Sequence, residues 1–289
     1  MNVAIVTDST AYLPAELVRS GSVPITVVPL HIVMGGKQHR EGVDVTVEDL
    51  SAALRTFTPL STSRPPPQAF LDAYEAAAAS GASHIVSIHI SSAMSGTCES
   101  ARLAAADSPV PVDVVDSRSL GMAMGFAVLS AAEAAASGAD PATIARIART
   151  RAAAAKVAFY VDTLEYLRRG GRIAAASALV GSAFSIKPIL TLVDGTIRPL
   201  EKVRTASRAL ARVTELISSA ANDVIASGGQ VDIAVQHLDA QVRAEALAQT
   251  LRERVPGVGE VVVAELGAVV GSHAGPGTLA AVASPRPRP

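Results

Sequence analysis

VAIVTDST, residues 3–10, is the clearest indicator of fold class in this chain of 289 residues. Residues 3–6 are an uninterrupted apolar run, which is typical of a buried strand. Residues 7–10 follow at once with Thr, Asp, Ser and Thr, which cap helix N-termini, and Pro14 lies where a first helical turn would begin. A strand that leads directly into a helix predicts the first half of a βαβ unit, and therefore a parallel sheet.

The same alternation continues along the N-terminal half of the chain. Apolar runs at residues 25–33, 85–90 and 110–115 predict strands, and segments at 69–79, 97–106, 120–137 and 141–154 predict helices. We therefore expect an α/β fold with a parallel sheet and helices on both faces. Ligands of such sheets bind beyond the carboxyl ends of the strands, so polar clusters that follow strands are candidate sites.

A second unit is predicted to begin near residue 155, where a strand at residues 157–161 follows two consecutive helices. We predict an N-terminal α/β domain over residues 1–154 and a C-terminal α/β domain over residues 155–289.

Within the C-terminal unit, Asp194-Gly195 between two apolar segments is typical of a β-hairpin. Strands are predicted at residues 231–236 and 261–264, the latter as the last strand, with a helix at 241–254 between them. Residues 284–289 alternate Pro and Arg and are expected to form a loose tail.

Composition argues against several function classes. The 25 basic and 26 acidic side chains leave a net charge of −1, without the basic excess of a nucleic-acid-binding domain. Cys98 is the only cysteine and the histidines lack metal-ligand spacing, so we expect no disulfide and no metal. The Walker A and Gly-x-Gly-x-x-Gly patterns are missing, which argues against nucleotide binding. We expect no cofactor.

The longest uncharged segments, residues 120–132 and 173–186, are shorter than the about 20 residues that span a bilayer. The first ten residues have neither the basic segment nor the apolar core of a signal peptide. We therefore expect a cytoplasmic protein with at most transient membrane contact.

Two hydroxyl-rich segments follow predicted strands. SSAMSGT, residues 91–97, precedes a helix, and hydroxyls with free backbone N–H groups at a helix N-terminus form an anion site. Gly96 in this segment would let a ligand approach the backbone. TSRPP, residues 62–66, is predicted as a turn before a helix. A plain helix start is the alternative there, because Pro is common at the first helical position.

His273 lies in GSHAGPG, residues 271–277, which is predicted to be a rigid loop after a strand. A histidine there can donate a hydrogen bond to an anion or act as acid or base. A solvent-facing loop histidine is the alternative.

Two arginines lie in basic clusters. Arg172 follows two glycines that end a short helix, so the preference of cations for helix C-termini does not account for it. Arg204 lies after the predicted hairpin. Both could receive a phosphate or an acidic partner surface.

Together these segments resemble the DegV family, lipid-binding proteins whose characterised members are fatty-acid-binding subunits of bacterial fatty acid kinase. The matching segments run in the family's order: VTDST (6–10), TSRP (62–65), SSAMSGT (91–97), DS (116–117), LEYLRRGGRI (164–173), IKPIL (186–190) and 265–277, ending in HAGPG. The resemblance implies two α/β domains with the lipid buried between them.

The resemblance also implies roles for particular residues. The groups that would bind the lipid carboxylate are Thr62, Ser63, Ser95, Gly96 and His273. Arg172 and Arg204 would serve phosphoryl transfer or kinase docking.

The sequence departs from the family's pattern at three positions. Arg64 stands where Gln is usual, Pro66 where a small hydroxyl residue is usual, and Cys98 where an aromatic is common. These departures are expected to alter head-group electrostatics or chain-length preference. Candidate residues of the tail wall are Met94, Phe159, Leu179 and Phe184.

The sequence thus predicts a non-catalytic carrier with a bound long-chain fatty acid. It would present the carboxylate to a separate fatty acid kinase and hold the acyl phosphate for an acyltransferase of phospholipid synthesis. One alternative is an acyl hydrolase or acyltransferase that uses Ser95 with His273, oriented by Asp116 or Glu265. Another is a stand-alone lipid sensor without a kinase partner.

Overall fold

The computed structural model describes residues 2–20, 23–56, 58–173 and 187–287. Within these ranges the strands are, in chain order, β1 (Val3–Asp8), β2 (Ile25–Val28), β3 (His31–Met34), β4 (Lys37–Arg40), β5 (Leu60–Ser63), β6 (His84–His89), β7 (Val112–Asp116), β8 (Lys156–Tyr160), β9 (Lys187–Val193), β10 (Thr196–Val203), β11 (Val231–His237), β12 (Val261–Glu265) and β13 (Leu279–Pro285). The α-helices are α1 (Ala15–Ser20), α2 (Val47–Arg55), α3 (Pro67–Ala79), α4 (Thr97–Ala106), α5 (Met122–Ala136), α6 (Pro141–Ala154), α7 (Glu165–Arg169), α8 (Ala206–Ala226), α9 (Gln241–Arg254) and α10 (Ala268–Ala274).

The first sheet has the order β2-β1-β6-β7, and its neighbouring strands are parallel. This confirms the parallel sheet predicted from residues 3–10. Its two faces are covered by different helices, α3 and α4 on one and α5 and α6 on the other. Asp8, the last residue of β1, caps the short 3-10 helix Ser9–Ala11, because its side chain accepts a hydrogen bond from the backbone N–H of Thr10.

The second sheet has the order β10-β9-β8-β13-β11-β12. In this sheet β11 and β12 are parallel, and the other neighbouring pairs are antiparallel. Helices α8 and α9 pack on one face and form the largest buried cluster there. The other face packs in part against helix α5, through Met122, Ala123 and Phe126.

Two predictions about the C-terminal end were wrong. The last strand of the described chain is β13, and residues 284 and 285 belong to it rather than to a loose tail. Arg286 is also held, because its guanidinium donates to both carboxylate oxygens of Asp232 at 2.7 and 2.8 Å. The alanine-rich β13 has a weak strand pattern of its own, and it is stabilised by pairing with β8 and β11 on either side.

A third, antiparallel sheet has the order β4-β3-β5, and it corrects two further predictions. Residues 25–33 are two strands, β2 and β3, in different sheets. Pro29 lies between them and has no N–H to continue a ladder. Thr62 and Ser63 lie on β5 rather than in a turn, because β5 pairs with β3.

A buried ion pair joins α6 to the second sheet. Arg151 on α6 pairs with Asp232 on β11, and each side chain is 3% exposed. The other guanidinium nitrogens of Arg151 donate to Ser284 Oγ and Ser130 Oγ. The division of the chain into domains at residues 154 and 155 stays a prediction.

None of the helices in the described ranges combines the length and the apolar character that a membrane crossing requires.

Candidate functional site

A cavity of about 960 Å³, counted with its open mouth, lies over the second sheet. Its floor consists of side chains from five neighbouring strands, β10, β9, β8, β13 and β11: Ile197, Leu192, Val157, Phe159, Ala280, Val282 and Gln236. Strands lie about 4.8 Å apart, so four spacings make this floor about 19 Å wide. A cavity this wide can hold an extended chain.

The floor is apolar because of strand periodicity. Successive residues of a strand face opposite sides, so Val157 and Phe159 face the cavity while Ala158 packs in the cluster under α8 and α9. The remaining apolar wall comes from segments after first-sheet strands, from the 91–97 loop, from the end of β12, and from α7 and α10: Leu30, Ile90, Met94, Leu120, Leu167, Leu266, Val269, Val270 and Ala274. Met94 and Phe159 were expected wall residues. Leu179 and Phe184 lie outside the described residues.

The polar part of the lining brings together five of the seven predicted site residues: Thr62, Ser63, Ser95, Arg172 and His273. They come from distant positions in the sequence, on β5, in the loop before α4, after α7 and at the end of α10. Gly96 lies beside Ser95 but is not part of the lining. Arg204 is exposed after β10 and also lies outside the lining.

His273 lies in the last turn of helix α10, not in a loop as the glycines around it suggested. Its ring is partly buried, and Nε2 lies 2.8 Å from Thr62 Oγ1. Its Nδ1 faces Gly170 so closely that a Cβ on that residue would collide with the ring. Burial, and then the charge of Arg172, lowers the pKa of His273 to about 4, so the imidazole is neutral at pH 7.

We expect the lowered pKa of His273 to make the free energy of unfolding depend on pH. The unfolded chain takes up a proton near pH 6.5 and the folded chain does so only near pH 4, so stability falls as the pH drops between these values. The loss at pH 5 is about 2 kcal/mol, from 1.4 kcal/mol per pH unit. Urea unfolding at pH 7 and pH 5 measures it.

His273→Gln is the matched variant, because it retains every other titrating side chain. Its loss of stability between pH 7 and pH 5 should be smaller than that of the wild type by about the same 2 kcal/mol. Equal losses in the two proteins would contradict a buried neutral His273.

Arg64 occupies the space that Gly96 leaves. The guanidinium of Arg64 packs against Gly96, where a Cβ would collide with it, and Nη1 donates to Glu99 Oε2 at 2.5 Å. Gly96 therefore accommodates Arg64, and its predicted role in binding the carboxylate stays a prediction. This departure from the family's pattern places a second arginine, besides Arg172, in the cavity lining.

The serine hydrolase alternative lacks its central contact. Ser95 Oγ lies 2.8 Å from Thr97 Oγ1, whereas His273 Nε2 has Thr62 as its partner. Of the two proposed orienting acids, Asp116 binds the Ser92 hydroxyl and Glu265 is exposed. A nucleophile must be within hydrogen-bond reach of its base, and this geometry does not provide that.

A Ser–His–Asp array does exist elsewhere, at the ends of β1 and β6, and sequence reasoning missed it. His89 Nε2 lies 2.6 Å from Ser87 Oγ and Nδ1 lies 3.1 Å from Asp8 Oδ2. All three residues are fully buried, so no substrate reaches them. Asp8 also accepts from the backbone N–H of Ile90, so the array fixes a cavity-wall residue in place.

Three contacts between described residues join loops of the first sheet to the opposite side of the cavity. Each links a loop after a first-sheet strand to the β9–β10 hairpin or to the segment after α7: Ser91 Oγ donates to Gly195 O at 2.7 Å, Arg118 Nη2 to Asp194 Oδ1 at 3.0 Å, and Arg172 Nε to Met94 O at 3.3 Å. These contacts bridge one edge of the cavity, beside its open mouth.

The described residues contain no group of three or more His, Cys, Asp or Glu side chains placed to hold a metal ion. Cys98 is buried, and burial raises the pKa of its thiol to about 12. It therefore fills space at the start of α4 rather than acting as a nucleophile.

Known proteins resemble this chain over nearly its whole length. The sequence model of the DegV family, described as an uncharacterised protein family, matches residues 2–286. A DegV domain-containing protein of Streptomyces coelicolor is 50% identical over 285 residues, which are 99% of each chain.

Two solved structures share the fold. The structure titled as fatty acid binding of a DegV family protein from Thermus thermophilus superposes with a TM-score of 0.90 at 32% identity, covering 98% of this chain and 99% of that one. DegV of Bacillus subtilis, described as a fatty acid binding protein, gives a TM-score of 0.87 at 32% identity with the same coverage.

Proposed function

This chain belongs to the DegV family, and from that premise we propose that it is a carrier which binds a long-chain fatty acid in the cavity over the second sheet. The observation that carries the proposal is the cavity itself, whose apolar floor is about 19 Å wide and whose hydroxyl, imidazole and guanidinium groups line one part of the wall. The two solved relatives described as fatty-acid-binding proteins support it.

The hydroxyls of Thr62, Ser63 and Ser95, with the imidazole of His273, are proposed to bind the carboxylate. Each hydrogen bond to a charged group contributes about 1.5–3 kcal/mol, which offsets the cost of removing the carboxylate from water. Because His273 is neutral, it can donate a hydrogen bond without a full charge. The two lining arginines add positive potential, and Gly96 acts through its contact with Arg64.

The acyl chain is proposed to provide most of the affinity. Burial of about 15 methylenes at about 0.8 kcal/mol each gives about 12 kcal/mol before the costs of association. The apolar floor and wall supply the surface for that burial.

We further propose that the carboxylate is presented to a fatty acid kinase in the cytoplasm and that the acyl phosphate passes to an acyltransferase. Arg172 in the cavity lining and the exposed Arg204 are the cations that would meet a phosphoryl group or the partner. The sequence has neither of the common phosphate-binding loops, which supports a separate subunit as the source of the phosphoryl group.

Lipid extraction of the purified protein followed by mass spectrometry tests the binding step. A stoichiometric fatty acid, or saturable binding of oleate or palmitate after delipidation, is the expected result. Protein that carries no lipid and binds neither acid would contradict the proposal. Turnover of acyl esters that disappears in Ser95→Ala would favour the hydrolase alternative instead.

Thr62→Val should weaken binding of palmitate about tenfold, because it removes one hydroxyl near the head group while keeping the shape of the side chain. Thr26→Val, on the exposed side of β2, is the control and should bind like the wild type. Isothermal titration calorimetry measures both. Equal affinity of the two variants would remove Thr62 from the head-group site.

A further inference from the structure

Gly170, which caps the C-terminus of α7, does not need to be glycine for the sake of its own backbone. Its φ of −72° and ψ of −12° lie in the right-handed helical region, which residues with side chains adopt readily. Alanine is favoured over glycine in helical backbone, because it loses less conformational freedom on folding. The glycine that the turn after α7 requires is its neighbour Gly171, with φ = +67°. What distinguishes position 170 is therefore its surroundings.

The space that a side chain would occupy at Gly170 is filled by the imidazole of His273. The three atoms nearest to a Cβ at this position are Nδ1, Cε1 and Cγ of that one ring, and the contact with Nδ1 is a collision. At Gly171, by contrast, no atom of the described residues lies within 4 Å of the Cβ position. Only the first of the two glycines therefore makes room for a side chain of the proposed head-group site.

The position of the His273 ring is set by both of its nitrogens. Nδ1 faces Gly170, and Nε2 lies 2.8 Å from Thr62 Oγ1. A ring displaced by a Cβ at Gly170 would leave this position, so we expect its contact with the Thr62 hydroxyl to lengthen or break. A single methyl group at Gly170 would therefore separate two of the groups proposed to bind the carboxylate.

The carbonyl of Gly170 holds a further group of the same region. It accepts a hydrogen bond from Arg172 Nη1, while Arg172 Nε donates to Met94 O at 3.3 Å. Gly170 also lines a second cleft together with Thr62, Arg172 and His273, the three residues that this cleft shares with the lipid cavity. One backbone position thus contacts both the imidazole and the guanidinium.

We propose that Gly170 is a positioning residue of the head-group site: the space left by its missing side chain holds the His273 ring against the Thr62 hydroxyl, so that both can bind one carboxylate. The effect on the ligand rests on the proposed fatty acid binding, whereas the contact between Gly170 and the ring is present without a ligand. Gly170→Ala should weaken binding of palmitate about tenfold, which corresponds to the loss of about one hydrogen bond to a charged group.

A double-mutant cycle with His273→Ala separates this positioning from a general structural role. His273→Ala removes the ring and leaves room for the new methyl group, so Gly170→Ala should change palmitate affinity less than twofold in that background. Isothermal titration calorimetry measures the four proteins. Similar losses in both backgrounds, or no loss in the wild-type background, would overturn the inference. The matched control is Gly171→Asn, which should bind like the wild type, because Asn tolerates a positive φ.

Urea unfolding of the same four proteins tests the contact without a ligand. Gly170→Ala should lower the urea midpoint of the wild type, or prevent its folding, because the methyl group meets the ring. In the His273→Ala background it should leave the midpoint unchanged or raise it, since only the helical preference for alanine remains. Equal shifts in the two backgrounds would overturn the inference. A wild type that binds no palmitate would overturn the proposed function, and this cycle would still decide the role of Gly170.

Discussion

Ala280→Trp should reduce the affinity for palmitate about a thousandfold. Ala280 lies on β13, near the middle of the cavity floor, between Phe159 and Gln236 on the neighbouring strands. An indole there displaces about five methylenes of the ligand at about 0.8 kcal/mol each, or about 4 kcal/mol in total. Binding of a fluorescent fatty acid and its displacement by palmitate measure the loss.

The matched control is Ala246→Trp, at an exposed position of α9, which should bind palmitate normally. A smaller replacement, Ala280→Leu, should shift the preference toward shorter acids rather than abolish binding. Palmitate affinity in Ala280→Trp within a few-fold of the wild type would show that the acyl chain does not lie on this floor.

Asp232→Ala should lower the free energy of unfolding by about 3–5 kcal/mol, because it leaves the buried Arg151 guanidinium without its counter-charge. Both side chains are 3% exposed, and Arg286 loses its partner at the same time. Burial alone would raise the pKa of Asp232. Hydrogen bonds from Arg286 and from the Glu260 backbone N–H, with the charges of both arginines, lower it instead.

Urea unfolding of Asp232→Ala and of Asp194→Ala compares a buried with an exposed pair. Asp194 binds Arg118 at 3.0 Å with both side chains more than half exposed, so its loss should cost at most about 1 kcal/mol. Because the pKa of Asp232 is depressed, its contribution should persist at neutral pH and disappear as the pH falls through that lowered pKa. Equal losses in the two variants would contradict this account.

Continuous apolar runs made the first sheet predictable without knowledge of its partners. Residues 3–6 lie on β1 and residues 85–89 on β6, as expected, and Ser95 in the polar loop after β6 lines the cavity. Local signals also sufficed for helices α6 and α9, whose observed bounds are the predicted ones, 141–154 and 241–254.

The errors arose where pairing or packing over long sequence distances overrides local chemistry. Proline-rich surroundings suggested a turn at Thr62, but β3 pairs with it as a strand. Glycines suggested a loop at His273, but the buried face of α10 packs on α2 and α7 and keeps the helix intact to Ala274. In both cases the residue was correctly predicted to lie near the cavity, but its secondary structure was not.

The family resemblance grouped five residues that line one cavity, although their positions in the chain are more than 200 residues apart at the extremes. It did not reveal that Gln236 lines the cavity, where its amide is held by the backbone N–H of Met122 and fits in the space left by Gly121. A polar residue near the end of a largely apolar strand, immediately before His237, was the available signal.

The three contacts that join the two sides of the cavity affect kinetics as well as affinity. Breaking them would widen the mouth of the cavity, so the off-rate of a bound ligand should depend on an opening motion of the protein, and such motions occur in about microseconds to seconds. Acyl chains of different length can then differ in affinity more than in residence time. A partner protein that separates the two sides would then release fatty acids of different length at similar rates.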